Sequence, residues 1–388
     1  MPWKELSLMS LRKEFISLVL GEGSKFSQLC ARFGISRKTG YKWRNRYRRD
    51  GMVGLADRSR RPQRSPGRTS ASMEGEVVRI RSDHPAWGGR KIAARLVALG
   101  RENVPAPSTI TAILARHGYI DPAESLKHQR WQSFQAEAPN ALWQMDFKGH
   151  FQAARGRCHP LTILDDHSRY ALCLQACPDE TGATVQAHVT EVFRRFGLPI
   201  RTLVDNGSPW GSDAEHPYTP LTVWLIRLGI TVIHSRPYHP QTLGKGERFH
   251  RSLKAEVLPY CQGLEIEACQ KRFAKWREVY NTERPHEALE MAVPASRYRL
   301  SPRSFPEALP PIEYGPEDRV RKVQQGGRIS YHNQEYSVPK AFCGQHVALR
   351  PTQSDGIWEA FFCNQKIQRI DLRNPHTVMS VTHVPERL

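Results

Sequence analysis

Trp143-Gln144-Met145-Asp146-Phe147 alternates apolar and polar side chains with the period of a strand and carries one carboxylate. Two further stretches repeat the theme. Leu203-Val204-Asp205-Asn206-Gly207-Ser208 ends an apolar run on Asp205, and His239-Pro240-Gln241-Thr242-Leu243-Gly244-Lys245-Gly246-Glu247-Arg248 surrounds Glu247 with cations. Three dispersed carboxylates on an otherwise basic chain suit a hard divalent cation, because Mg²⁺ takes oxygen ligands and bridges readily to phosphate. The chemistry to expect is phosphoryl transfer on nucleic acid.

Outward from these stretches, the pattern predicts a strand from Leu142 to Phe151 and two more, His159 to Asp166 and Arg169 to Gln175, joined through Asp166-His167-Ser168. Thr181 to Phe196 reads as a helix and Pro199 to Val204 as a strand that delivers Asp205. There follow a helix near Leu221 to Leu228, a strand at Ile230 to Ile233, a loop through Pro237 to Thr242, and a helix from Gly244 to Val257. Three strands, helix, strand, helix, strand, helix is the ribonuclease-H-like order, in which an antiparallel meander joins a parallel half and carboxylates meet at the sheet centre. Ile266 to Tyr280 adds one more amphipathic helix. Asp165 and Asp166 form a competing acidic pair, but His167-Ser168-Arg169 after them marks a hairpin, so the pair is left out of the site.

Before this core, Met9 to Leu20 has helical spacing, a short amphipathic helix ends at Gly34, and Ser36 can cap a second helix carrying Arg37, Lys38, Lys42, Arg44, Arg46, Arg48 and Arg49. This is a helix-turn-helix plan with 36–50 as recognition helix; a solvated cationic helix at a bundle edge is the alternative. Arg37, Lys38, Lys42 and Arg44 are the candidate DNA contacts, since the N-terminal part of such a helix enters the groove. Residues 57–70, rich in Arg, Ser and Pro, read as a flexible basic linker. Helices around Val77 to Ile80, from Gly89 to Leu99, and from Ser108 to His117 with Ser108 as cap make either a second helix-turn-helix or a plain three-helix scaffold.

After the core, six short β-prone segments between Val320 and Ile370, separated by Gly, Asn and Asp, predict a small β-barrel. The whole is therefore a multidomain α/β chain. Its expected divisions are a helix-turn-helix domain at 1–56, a linker at 57–72, a second helix-turn-helix at 73–120, a linker at 121–138, the core at 139–293, a linker at 294–314, the barrel at 315–374 and a tail at 375–388.

Composition narrows the partners. The formal net charge is +19, and residues 1–70 alone hold 17 Lys and Arg against 5 Asp and Glu. Such an excess favours a polyanion through counterion release. The eight cysteines are scattered without a C-x-x-C pair, so neither a zinc site nor a disulfide framework is indicated. No apolar run is long enough for a membrane span. These features predict a soluble protein of a reducing compartment, cytoplasmic and associated with the nucleoid.

The chain resembles the bacterial insertion-sequence transposases whose catalytic core is similar to that of retroviral integrases, the DDE recombinases. The resemblance rests on Trp143-Gln144-Met145-Asp146, on Asp205-Asn206-Gly207-Ser208, and on Pro237 to Thr242 running into Gly244 to Arg251, supported by Tyr280-Asn281 and Arg284-Pro285-His286. It implies an integrase-type core in which Asp146, Asp205 and Glu247 are both catalytic residues and metal ligands. It also implies two Mg²⁺ ions per active site, replaceable by Mn²⁺. Glu247 stands 42 residues after Asp205, a few more than is usual in that family, and the surplus is placed at Gly211 to Tyr218, where Asp213 and Glu215 are spare carboxylates. An integrase-type His/His/Cys/Cys zinc module is not visible near the N-terminus.

On the Glu247 helix, His250, Arg251 and Lys254 follow at i+3, i+4 and i+7, along one side. Arg251 and Lys254 are candidate phosphate grips or ordinary surface cations, and His250 is a site or structural residue. His239 and Gln241 position DNA or shape their loop. The expected activity is strand cleavage and 3′-hydroxyl transfer by a transposase bound to double-stranded DNA, its element's terminal repeats and a target, as a homo-oligomer. Two other readings stay open: a DNA-binding regulator or inactive relic, and a metal-dependent nuclease without strand transfer.

Overall fold

The computed structural model describes residues 7–21, 23, 25–58, 68–121, 135–212, 216–235 and 244–374. His239, Gln241, Asp213 and Glu215 lie outside the described residues, as do 59–67 and 122–134 of the expected linkers and the tail from 375. The chain divides into two compact units, 1–68 and 69–388.

The first unit is a bundle of α1 (Leu8–Leu20), α2 (Phe26–Arg32) and α3 (Arg37–Asp50). Gly34 takes the left-handed turn between α2 and α3 at φ +63, and the Ser36 hydroxyl accepts from Thr39 N at 3.2 Å to cap α3. Phe15, Ile16, Cys30, Trp43 and Leu55 form its core. Gly40 lets α3 pass close to its neighbours, since a Cβ there would stand 2.7 Å from the Cys30 sulfur and 2.9 Å from Phe26.

The second unit opens with α4 (Ala71–Asp83), α5 (Gly89–Ala98) and α6 (Pro107–Arg116), packed on Val77, Trp87, Ile92, Leu96, Ile110 and Ile113. Ser70 caps α4, so this helix begins inside the stretch expected as linker. Ser108 is not a cap: α6 starts at Pro107, whose missing N–H costs nothing at a first helical position, and Ala106 precedes it without a side-chain bond.

The core sheet runs in the order β2-β3-β1-β5-β6, with β4 also on β3. Its strands are β1 (Leu142–Phe147), β2 (Phe151–Gln152), β3 (Arg157–Asp165), β4 (Ala171–Cys177), β5 (Arg201–Val204) and β6 (Thr231–His234). The first predicted strand is thus two. Gly149, at φ +79, breaks it after Phe147. Arg169, predicted to start the third strand, sits at φ +63 in the hairpin, and β4 begins two residues later.

Helices α7 (Gly182–Phe196) and α8 (Pro220–Arg227) cover one face, α9 (Gly244–Glu256) and α10 (Ile266–Thr282) the other. The period of two sorts the strand residues between them. Trp143, Met145, Leu161 and Ile163 join the α7–α8 core, while Leu164 and Leu174 join Phe249, Leu253, Phe273, Trp276 and Tyr280 beneath α9 and α10.

The C-terminal part contains all six predicted segments, β7 (Arg319–Lys322), β8 (Arg328–Tyr331), β9 (Gln334–Ser337), β10 (His346–Pro351), β11 (Ile357–Phe362) and β12 (Gln365–Asp371). They do not close into the expected barrel. Strands β12-β11-β10-β7 form an open antiparallel sheet and β8-β9 a separate ribbon, and both feed side chains into the α7–α8 core.

An open sheet must satisfy its edges. At the β6 edge, Gln365 accepts from Val232 N at 2.9 Å and donates to Val232 O at 3.0 Å. On β4, α10 supplies the bonds from one stripe: Gln270 Oε1 accepts from Ala176 N at 2.8 Å, Arg277 donates to Leu172 O at 2.7 Å, and the Asn281 amide meets both backbone groups of Ala171 at 2.8 and 3.0 Å. The α4–α6 module is fastened to the same helices. Arg95 pairs with Glu283, and Glu256 accepts from Ala86 N at 3.3 Å and from Trp276 Nε1 at 2.6 Å. Among the described residues, no helix is long and apolar enough to cross a membrane.

Asn281→Ala leaves two buried backbone groups of Ala171 without partners, and a loss of roughly 2–4 kcal/mol in denaturant unfolding is expected. A change under about half a kcal/mol contradicts the edge role.

Candidate active site

Asp146 and Asp205 meet through strand pairing. Strand β1 runs parallel to β5 with Gln144 opposite Leu203, and the same register continued by two residues sets Asp146 beside Asp205. Adjacent strands lie about 4.8 Å apart. On the other side β1 pairs with β3, where Asp146 faces Thr162.

The Asp146 side of the sheet is the one beneath α9, and it is polar along one line. Thr162 Oγ1 donates to Asp146 O at 2.8 Å and stands 2.8 Å from His250 Nε2. The other ring nitrogen, His250 Nδ1, is 3.8 Å from Asp146 Oδ2, too far for a hydrogen bond. Burial, with Lys148 nearby, pushes His250 down to about 3, so the imidazole is neutral. It is a packed polar residue anchoring α9 on β3, and it forms no ion pair with Asp146.

Burial pushes Asp146 up to about 7, and the Asp205 and Glu247 carboxylates add to the rise against Lys148 and the Phe147 backbone. Asp146 therefore lies within electrostatic reach of both Asp205 and Glu247. Asp205 is also raised, by burial first and then by Glu180, while Gly207 N donates to its Oδ1 at 3.2 Å. Glu247 lies on the exposed side of the first turn of α9. Among the described residues no three His, Cys, Asp or Glu side chains are close enough together to grip an ion. Asp146 feels the other two carboxylates, but the three are not drawn into a tight cluster.

Arg251 and Lys254 are exposed on the stripe that carries Glu247. In the first unit, Arg37, Lys38 and Lys42 are exposed, whereas Arg44 is half-buried, with its guanidinium over Tyr41 at 4.7 Å and Phe26 at 5.4 Å. Three of the four predicted groove contacts thus face solvent. The fourth packs on its own bundle.

Asn206 donates to Ser235 O at 2.9 Å, joining the ends of β5 and β6. The Tyr280-Asn281 and Arg284-Pro285-His286 motifs are structural here: Arg284 donates to Ser252 Oγ of α9 at 2.9 Å, and Tyr280 packs edge-on against His286 at 4.9 Å. Sequence reasoning missed Thr162, Gln144 and Lys148 as neighbours of the carboxylates. The period of two puts Gln144 on the face of Asp146, but Thr162 requires the β1–β3 register, which no local signal supplies.

Residues 136–240 and 228–294 match family models described as integrase core domains. Residues 318–377 match the C-terminal domain of IS481 family transposases, 11–63 a helix-turn-helix domain, and 39–114 a homeodomain-like domain. An integrase core thus lies between helix-turn-helix segments and a C-terminal region similar to that of IS481 family transposases. An uncharacterized 31.7 kDa protein of insertion element IS407 from Burkholderia multivorans is 26% identical over 176 residues, covering 44% of this chain and 61% of its own length. An uncharacterized 39.2 kDa protein of insertion element IS476 from Xanthomonas euvesicatoria is 26% identical over 167 residues, 43% of this chain and 46% of its own. The integrase-core chain therefore spans about half to three fifths of these relatives. A chain of a simian T-cell lymphotropic virus intasome in complex with the PP2A regulatory subunit B56 gamma superposes at a TM-score of 0.37 and 18% identity over 76% of this chain and 99% of its own. So loose a superposition adds nothing to the assignment.

A pH dependence follows from Asp146. Its carboxyl titrates higher in the folded chain, about 7, than at its ordinary 3.8. Its contribution to stability is thus whole below about pH 4 and is lost as pH rises towards 7. In metal-free buffer, the stability difference between wild type and Asp146→Asn should change by roughly a kcal/mol per pH unit across that window, to the detriment of the wild type. Parallel stability profiles from pH 4 to 7 contradict it.

Proposed function

We propose that the chain is a DNA transposase that binds the ends of its element, cleaves a strand there and joins the freed 3′-hydroxyl to target DNA. What supports the reading most is that Asp146, brought beside Asp205 by the β1–β5 pairing, also feels Glu247 from a helix laid across the same face. Asp146 and its carboxylate neighbours are a donor set suited to a hard cation: all oxygen, all negative when ionised, and costly to ionise together without positive charge. Asp146, Asp205 and Glu247 would hold Mg²⁺, with Mn²⁺ as a substitute and two ions per site. When bound, such ions activate the attacking oxygen and stabilise charge on the leaving one.

The chain's own residues supply binding and orientation. Arg251 and Lys254, one and two turns beyond Glu247, grip the phosphates beside the site. His250 is neutral, buried and committed to Thr162, so it serves as scaffold and not as proton carrier. The thiols of Cys158, Cys173, Cys177 and Cys261 are buried and pushed up to about 12, so none is a nucleophile at neutral pH. In this reading a water and then the DNA's own hydroxyl are the nucleophiles. In the first unit, Arg37, Lys38 and Lys42 hold duplex DNA by the α3 edge. A homo-oligomer holds the two element ends, and the protein works in the cytoplasm on nucleoid DNA.

The decisive experiment is strand transfer in vitro with a labelled duplex of the element end, a target plasmid, and Mg²⁺ or Mn²⁺ against EDTA. Joined product is expected with metal and lost with EDTA. In Glu247→Gln and Asp146→Ala it should fall roughly a thousandfold or more, about 4 kcal/mol of transition-state stabilisation, while end binding persists. Cleavage without joining of a precut 3′ end points to a plain nuclease, and binding alone to a regulator. Lys38→Ala or Lys42→Ala should lower the salt slope of end binding by about one for each phosphate contact removed. An unchanged slope in both variants removes α3 from the interface.

A further inference from the structure

Asp166, set aside in the sequence as a hairpin residue, is wholly buried and holds together three separate parts of the core. Its Oδ1 accepts from Gln144 Nε2 at 2.8 Å, and its Oδ2 accepts from Ala136 N at 2.8 Å and from the Lys245 ammonium. The Gln144 amide, also buried, faces the other way with its oxygen and accepts from Gly246 N at 3.1 Å. Each end of that amide has one role. A flip would set oxygen against carboxylate and N–H against N–H.

The contacts close a ring. Lys245 and Gly246 are consecutive residues of α9, the first is gripped by Asp166 and the second by Gln144, and Glu247 is the next residue along. Gln144 stands on β1 two positions before Asp146, on the same face of the strand. The ring therefore links the strand that carries Asp146 to the two residues that lead into Glu247. It is not what attaches α9 to the sheet, because Phe249 and Leu253 are buried in the core below. Burying a carboxylate and an ammonium is no cheap route to stability, since a well-packed apolar pair often does as well. The specific gain is a fixed first turn.

We propose that Gln144, Asp166 and Lys245 are positioning residues that set where the Glu247 carboxylate stands relative to Asp146. The inference rests on the reading of Asp146, Asp205 and Glu247 as a metal-dependent site.

The test is Gln144→Met, which keeps the side-chain length and the Asp166–Lys245 pair and removes both amide bonds. Mn²⁺ binding to the full chain without DNA is measured by calorimetry, beside thermal melting, end-DNA binding in EDTA, and the single-turnover rate of strand transfer at saturating Mn²⁺. Expected is a Mn²⁺ affinity weakened about tenfold, as for other groups that orient ligands, and a slower transfer rate, with end binding unchanged. Lys245→Arg, which keeps the pair with Asp166, should stay close to wild type in Mn²⁺ affinity, while Lys245→Gln should not. A Gln144→Met protein that binds Mn²⁺ and transfers strands like the wild type overturns the proposal, whether or not its melting temperature drops. Glu247→Gln separates the two levels of inference. If it binds Mn²⁺ as well as wild type, or if wild type binds none, the carboxylate site itself fails and the positioning role goes with it.

Discussion

Two neighbouring strands that run parallel must end at the same edge of their sheet, and much of this molecule follows from that constraint. Strands β1 and β5 are separated in sequence by a meander and a helix, yet their pairing delivers Asp146 and Asp205 side by side. Parallel pairing needs a crossover, which α7 provides, and a crossover helix leaves the opposite face of the sheet for other elements. Helices α9 and α10 take that face. The third carboxylate can then come from above, on a helix, while the first two come from strand ends.

The price of polar groups inside a packed sheet is that each must find a partner. Gln144, Asp166, Thr162 and His250 are buried polar residues on one face, and each is bonded to another element. The same rule governs the rims, where Gln365 and the α10 stripe replace missing strands. The ionisable groups of the site are thus framed by polar groups already bonded to other elements.

Much of this was legible in the sequence, and the reasons differ by element. The helices and strands of the core show in apolar periodicity, and Ser36 and Gly34 announce the turn before α3 because caps and left-handed residues have few substitutes. The carboxylates are singled out only by their motifs, since a single Asp at a strand end has no distinguishing pattern. What stayed hidden needed register or long-range contact. Gln270, Arg277 and Asn281 look like the wet side of an amphipathic helix until β4 is beside them. Asp166 has the sequence context of a hairpin and becomes a hub only when Lys245 and Gln144 arrive from elsewhere. Ser108 looked like a cap because its residue type is right, but Pro107 was the stronger signal. The barrel was inferred from segment count, which does not fix which strands pair.

The fastening of α4–α6 to α9 and α10 bears on DNA in a further way. Arg95 and Glu283, with Ala86 and Glu256, make the small module and the core helices one piece. A duplex resting on that module would meet the carboxylates at a set offset, counted in base pairs by the protein's own dimensions. Such an offset would act as a gauge set by that junction.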